Sequence, residues 1–313
     1  MILTVTLNAS VDKSYVVDHL DPYKVMRVKE VNNTAGGKGL NVSRVAALAG
    51  EPVTAMGFIG GHNGRLFESL IFVRGIEKRF THINAETRCC INVRDLATNK
   101  STEFLEPGSL VTEDDLAAFL HDFETQLPLS RIVTISGSMP KGVPADFYGL
   151  LVELARRAGK PVLLDSSGEA LRAALSAYPT FIKPNADEIC QLLGKTVSSR
   201  QEVIAAARQL HDGGVDTVAV SLGRDGVLVV SGEGVYRGIT PNVPVVNTVG
   251  CGDSMVAGFA VGLARGMALP ERIRYAVAIS TANALTQETG SFRGEDLEAL
   301  LPQIQVERLS AFA

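Results

Sequence analysis

RIVTISGSMPKGVPADFYGLLVELARRAGKPVLLD, residues Arg131–Asp165, decides the fold class. Arg131–Ser136 is a short apolar run stopped by Gly137, as expected of a buried strand. Ala145–Ala158 spaces its apolar residues three and four apart, which lays one helix face against a core. Pro161–Asp165 is a second apolar run. Strand, helix and strand in that order make a βαβ unit, whose two strands lie parallel in one sheet. Towards the C-terminus the rhythm repeats: helix Gly168–Leu175, strand Phe181–Lys183, helices Ala186–Leu193 and Arg200–His211, then strand Thr217–Ser221. Gly226–Ser231 and Gly234–Gly238 flank Gly232-Glu233 and predict a hairpin late in the sheet. Helices about Gly252–Arg265 and Pro270–Gln287 follow.

Towards the N-terminus, Ile2–Leu7 and Pro52–Ile59 read as strands, and Leu40–Leu48 and Asp114–Gln126 as helices, the latter capped by Thr112. Lys13–Asp18, Met26–Val31, Thr87–Asp95 and Lys100–Leu105 are strand-like and fall outside the alternation. The expectation is a single domain over residues 1–313, a three-layer α/β/α sandwich. It carries a small β-sheet lid built from insertions at about 10–33 and 86–106.

The 313 residues are 46% hydrophobic and 20% charged, enough for a sizeable core. A net charge of −4 lacks the basic excess that a nucleic-acid surface needs. Cys89, Cys90, Cys190 and Cys251 contain no C-x-x-C pair, so neither a zinc site nor a disulfide framework is expected. Neighbours such as Cys89 and Cys90 point to opposite faces of a strand, and the reading is reduced thiols. The opening MILTVTLNAS has no cationic-then-apolar leader, and apolar stretches such as Val256–Ala264 fall short of the roughly 20 residues a membrane span requires. These features predict a soluble, cytoplasmic protein without membrane or nucleic-acid partners.

The strongest chemical signal is Asn247-Thr-Val-Gly-Cys-Gly-Asp-Ser-Met-Val-Ala-Gly258. An extended segment enters a glycine-flanked turn and then an apolar helix. Gly250 and Gly252 let the backbone approach a ligand, and the turn's N–H groups with the helix N-terminus form a hole for anionic oxygen. Asp253, in the first turn beside that hole, is placed to take a proton from an attacking hydroxyl. An aspartate there also serves as a cap, and these residues alone leave both readings open. A dinucleotide fingerprint would need glycine where Met255 stands.

A second glycine-led helix start is Thr34-Ala-Gly-Gly-Lys-Gly-Leu-Asn-Val-Ser-Arg44. Lys38 offers a positive charge and Asn41 both donors and an acceptor, although a flexible loop and helix start with a solvated Lys38 is the simpler reading of this segment alone. A P-loop would need Ser or Thr at Gly39 and Gly at Asn32, so the segment is not one.

Together, in this order, the two segments resemble the PfkB carbohydrate kinase family, with its ribokinase-like fold, over essentially the whole chain. Leu7-Asn-Ala-Ser-Val-Asp12, Gly57-Phe-Ile-Gly-Gly61, Ser136-Gly-Ser-Met-Pro-Lys141, Lys183-Pro-Asn-Ala-Asp-Glu188 and Ser221-Leu-Gly-Arg-Asp-Gly226 extend the resemblance. It implies ATP and Mg²⁺ as cofactors, with Asp253 as catalytic base and Gly250, Cys251 and Gly252 as the anion hole. Asn185 and Glu188 match the element that places Mg²⁺, largely through water, while also fitting a helix N-cap and its capping-box partner. Lys183, Asn185, Ser221, Gly223, Gly226 and Asn283 match nucleotide-side positions. Asp12, Gly37, Asn41 and Ser136 match the sugar side, and Arg27, Lys38 and Arg88 match cations that hold a pre-existing phosphate.

Within the family the chain is similar to the phosphosugar kinases. The loop around Lys38 and Glu86-Thr-Arg-Cys-Cys look like tagatose-6-phosphate kinase, acting on tagatose-6-phosphate or fructose-6-phosphate; 1-phosphofructokinase, acting on fructose-1-phosphate, is the alternative. A catalytically idle sugar-phosphate sensor is a reading from another class, opposed by the intact Asp253, Gly252, Asn185 and Glu188. The resemblance also implies a homodimer formed through the β lid. Two departures stand out: Ala9 replaces a common proline before Asp12, and Cys251 replaces a small Ala or Ser, where it reads either as a packed residue or as an oxidation-sensitive thiol.

Overall fold

Alternation of apolar strands and amphipathic helices builds a layered molecule, seen in a computed structural model that describes residues 1–197 and 199–309. The first third runs β1 (Ile2–Asn8), β2 (Ser10–Val17), β3 (Glu30–Gly36), α1 (Lys38–Leu48), β4 (Val53–Ile59), α2 (Gly61–Ser69), β5 (Ile76–His82), β6 (Arg88–Asp95) and β7 (Lys100–Leu105). Next come α3 (Glu113–Gln126), β8 (Ile132–Ser136), α4 (Phe147–Arg157), β9 (Val162–Asp165), α5 (Gly168–Leu175), β10 (Phe181–Ile182), α6 (Ala186–Leu193), α7 (Arg200–Asp212) and β11 (Thr217–Ser221). The chain closes with β12 (Val227–Ser231), β13 (Gly234–Ile239), α8 (Cys251–Ala264), α9 (Leu269–Ala284), α10 (Gly294–Leu300) and β14 (Gln305–Leu309).

Among the described residues the main sheet has ten strands in the order β14-β13-β12-β11-β10-β9-β8-β1-β4-β5. From β11 to β5 all neighbours are parallel, while β12, β13 and β14 add an antiparallel flank. Phe119, Phe123, Tyr148, Leu151 and Ile189 cover one face of this sheet from α3, α4 and α6. Val42, Val45, Val256, Phe259, Ile273 and Val277 cover the other from α1, α8 and α9. Both faces are thus buried, and the parallel strands are near-continuous apolar runs for that reason.

The four remaining strands form a separate sheet, β3-β2-β6-β7. It joins the main sheet through a third apolar cluster, in which Val11, Ala35 and Cys89 pack with Ile59, Phe67 and Phe80. Met26–Val31, expected as a strand, is mostly loop. Val25, Met26 and Val28 are exposed, and the pairing Ser10↔Gly36 to Val16↔Glu30 places β3 later, in the polar run EVNNTAG. Sequence patterning also passed over α2, β5, α10 and β14. In α2 only Gly64 and Phe67 are buried, and β5 and β14 are sheet edges with charged residues facing out, so each shows only a fragment of the expected periodicity.

Candidate active site

In an open parallel sheet, ligands bind outside the carboxyl ends of the strands. Here those ends bring Ser136 of β8 beside Asp165 of β9 in register, with Lys183 directly after β10. Asp165 and Lys183 are buried, and Lys183 Nζ lies 3.5 Å from Asp165 Oδ1. Neither Asp165 oxygen nor Ser136 Oγ has a hydrogen-bond partner, so these buried oxygens are held out of water, those of Asp165 with only lysine ammonium groups nearby.

Two helix N-termini close over the floor. Gly250 precedes α8 with φ 80°, and a Cβ there would sit 2.8 Å from the Gly290 nitrogen, so the turn needs glycine twice over. A Cβ on Gly252 would come 3.3 Å from Lys183 Nζ. The N–H groups of Gly252 and Asp253 lie in the first turn, beyond reach of any carbonyl of their own helix. The second N-terminus is that of α1, entered through Gly37 at φ 107°. Asn41, one turn into α1, donates from Nδ2 to Asp253 Oδ2 at 2.8 Å, joining the two helix starts.

Asp253 is only 6% exposed. Burial first, and then the neighbouring Asp165 charge, push its carboxyl up to about 6, against the pull of Asn41, Lys38 and Lys183. Asp165 also raises Lys38, whose Nζ lies 3.8 Å from Asp165 Oδ2, and burial opposes it. Lys38 therefore stays cationic beside a carboxyl whose affinity for a proton is high.

On the side of the small sheet, Asp12 of β2 is raised by burial and accepts a 2.6 Å hydrogen bond from Ser10. Any Cβ on Gly36 would collide with the Asp12 carboxylate. Arg88 opens β6 opposite Ser10 and points back towards β1, donating to the Asn8 and Glu106 carbonyls at 3.0 Å each.

Not every sequence-derived candidate arrives here. Arg27 sits in the loop between β2 and β3, exposed, at the end of the hairpin remote from Ser10 and Gly36, and makes no hydrogen bond or ion pair among the described residues. Asn283, expected at the nucleotide edge, is fully buried. Its Oδ1 accepts from Ser254 and from the Ser291 nitrogen, each at 3.1 Å, and its Nδ2 donates to Val249 O at 3.0 Å. With its polar atoms used this way, Asn283 braces the glycine turn from beneath. Cys251 packs on it, the Sγ 3.3 Å from Asn283 Nδ2, and burial raises the thiol. Asn185 and Glu188 form a reciprocal capping box on α6 at 2.8 and 2.9 Å. Ser221 bridges to Asn185, and Gly223 (φ 58°) and Gly226 (φ 89°) shape the turn that follows. Sequence reading missed two residues, Asp165 and Arg44. The first announces itself only as an acid ending an apolar strand, and the second as a charge on the buried side of α1.

Residues 5–294 match the sequence profile of the pfkB family carbohydrate kinases. The chain belongs to the pfkB family. It is accordingly a sugar kinase, a phosphotransferase of a family that uses ATP, and its fold is ribokinase-like. Among solved pfkB-type structures, a Staphylococcus aureus protein assigned as a phosphofructokinase is 32% identical, with TM-score 0.85 and 99% of each chain covered. Escherichia coli phosphofructokinase-2 is 31% identical, with TM-score 0.90 over 96% of this chain and 98% of its own, and has been solved with fructose-6-phosphate. A Thermotoga maritima protein assigned as a 1-phosphofructokinase is 26% identical, with TM-score 0.90 over 99% and 100%. The chain is thus a phosphofructokinase-like member of its family. Among the described residues, no helix is long and apolar enough to cross a membrane.

Proposed function

We propose that this kinase transfers the γ-phosphoryl group of ATP to the C1 hydroxyl of a 6-phosphorylated ketohexose, tagatose-6-phosphate or fructose-6-phosphate, giving the 1,6-bisphosphate. The observation that carries the reading is the buried Asp253 carboxylate, held by Asn41 between two glycine-led helix N-termini with Lys38 beside it.

In the proposed mechanism the sugar hydroxyl attacks the γ-phosphorus in line. Its O–H proton passes to Asp253 as the new O–P bond forms, and the bond to the β-phosphate oxygen breaks with ADP leaving. The first-turn amides of α8 and the Lys38 ammonium stabilise charge on the phosphoryl oxygens in transfer. Asp12, Gly37, Asn41 and Ser136 are the groups proposed to orient the sugar. Arg88 and Lys38 are proposed to grip its phosphate, Arg88 by turning donors away from the Asn8 and Glu106 carbonyls. Ser221, Gly223 and Gly226 are proposed to meet the nucleotide.

The donor set suits Mg²⁺. Asp165 has two buried oxygens without hydrogen-bond partners, and both it and Glu188 act electrostatically on Lys38. Asp165, Glu188 and Asn185 would hold the ion largely through water, since Mg²⁺ keeps its hydration shell readily. Bound there, Mg²⁺ would neutralise charge on the ATP phosphates.

The small sheet is proposed as a lid that excludes water when substrate is bound, and its exposed apolar residues support pairing of two copies through it. Tyr23, Val25, Val31, Phe104 and Leu105 are all exposed there. A second reading, 1-phosphofructokinase, has the support of the Thermotoga maritima neighbour. An ADP-release assay over tagatose-6-phosphate, fructose-6-phosphate, fructose-1-phosphate and ribose separates the two. The proposal expects turnover with the 6-phosphates, preferred by at least roughly tenfold in kcat/KM. Preference for fructose-1-phosphate replaces it with the second reading, and preference for ribose rejects a phosphate clamp altogether.

A further inference from the structure

We infer that Arg44 is a positioning residue for this kinase: its guanidinium fixes the Asn41 amide so that the amide nitrogen, and not its oxygen, faces the Asp253 carboxylate. The inference rests on the reading of Asp253 as base. Asn41 and Arg44 lie three residues apart on α1, which puts them on one face of the helix. Arg44 Nη1 donates to Asn41 Oδ1 at 3.1 Å and to the Thr289 carbonyl at 2.7 Å, while Nη2 donates to the Ala35 carbonyl. From the other end of the same amide, Asn41 Nδ2 donates to Asp253 Oδ2 at 2.8 Å.

The chemistry of the three groups makes this arrangement unique. A guanidinium has donors only, and an ionised carboxylate has acceptors only. An amide between them satisfies both in one orientation. Turned over, Asn41 would set its NH₂ against the guanidinium and its oxygen against the carboxylate, two repulsive contacts in a buried site. Held as it is, the amide restrains one carboxylate oxygen and leaves Oδ1 of Asp253 for an incoming hydroxyl proton.

A second arm of the same guanidinium reaches the glycine turn. Thr289, which accepts from Arg44, precedes Gly290, and a Cβ on Gly290 would lie 2.8 Å from Asn41 Cβ. A Cβ on Gly250 would lie 2.8 Å from the Gly290 nitrogen. Arg44 therefore locks α1, the 289–290 backbone and the start of α8 into one packed unit. Lysine, with a single nitrogen, cannot reproduce a planar fork that reaches three carbonyl-type oxygens.

The electrostatic setting agrees. Burial lowers Arg44 from its ordinary value, and Asp12 from β2, Glu288 from the loop after α9, and Asp253 oppose that fall. Asp253 is itself faced by Asp165 from β9, Lys38 and Asn41 from α1, and Lys183 after β10.

The test compares wild type, Arg44→Lys, Asn41→Ala and the double variant in the full chain. Arg44→Lys is expected to lower kcat about 10- to 100-fold with the KM for ATP within about twofold, and to cost less than about threefold when Asn41 is already alanine. A readout independent of turnover is the Asn41 side-chain amide signal in ¹⁵N spectra of the ligand-free protein, assigned by its loss in Asn41→Ala. It is expected to be displaced and slow to exchange in wild type, and to collapse to the position of a free amide in Arg44→Lys. Additive losses, an unchanged amide signal, or an Arg44→Lys chain without a cooperative unfolding transition would each overturn the inference. Should wild type turn over no phosphosugar, the substrate reading falls alone, because the amide signal still decides what Arg44 does.

Discussion

The two helices that open onto the site begin alike and then diverge. Each starts from a glycine with positive φ, at Gly37 or Gly250, and neither N-terminus is closed by a side-chain cap. Beyond that start, α8 is buried on all sides from Asp253 to Gly262, whereas α1 carries Lys38 at its mouth with a side chain 43% exposed. A carboxylate in the buried helix loses hydration and becomes a better proton acceptor. An ammonium in the open one keeps water and charge. The pair teaches that one backbone device, an uncapped N-terminus, can present either a carboxyl with raised proton affinity or an ammonium that keeps its charge, according to how far the first turn is buried.

The sharpest way to break the comparison is to remove the acid. Asp253→Asn is expected to lower kcat by about 10²–10⁴ with little change in the KM for sugar, measured by ADP release. Near wild-type turnover would reduce Asp253 to a charge that offsets the helix dipole.

The same substitution is expected to stabilise the protein. Asp253 has an ordinary value of 3.8 and stands at about 6 in the folded chain. Between those values the folded chain keeps a proton that the unfolded chain has released, so stability declines as pH rises through the window, and the deficit is complete above it. Asn carries no such deficit. Asp253→Asn should therefore gain about 1–3 kcal/mol at pH 7.5, a gain that shrinks as pH falls from 6 towards 4 in denaturant titrations. A constant difference across that range would mean that burial does not perturb the acid.

Arg88→Ala sharpens the comparison on the sugar side, where the cation lies outside both helices. It is expected to weaken a phosphorylated sugar about tenfold while ATP binding changes less than about twofold, by calorimetric titration. Equal weakening of both ligands would remove Arg88 from the clamp. The smallest expected effect is at Cys251. Its thiol packs on Asn283 and its backbone shapes the turn, so Cys251→Ala should keep kcat within about threefold. A larger loss would give the thiol a part in the chemistry.

Much of this site was legible as local pattern. Gly250-Cys-Gly-Asp253 and Gly37-Lys38 imply helix starts with open amides whatever the rest of the chain does, because glycine alone tolerates those dihedrals cheaply. The βαβ rhythm from Arg131 to Ser221 likewise follows from burial on both sheet faces. Where Arg27 and Asn283 lie was not legible, because spacing along the chain does not reveal which way a hairpin extends or whether an amide points outward or beneath a turn.

By itself, then, the sequence determined the parallel α/β core, the two glycine-led N-termini and the acid at residue 253. Only the tertiary structure decided that Asn41 meets that acid, that Asp165 lies near it between Lys38 and Lys183, and that Arg44 donates to the amide between. Backbone conformation is a local property, set by sterics within a few residues. Proton affinity and amide orientation depend on charges and burial contributed by segments far apart in the chain, which only the packed fold brings within a few ångströms.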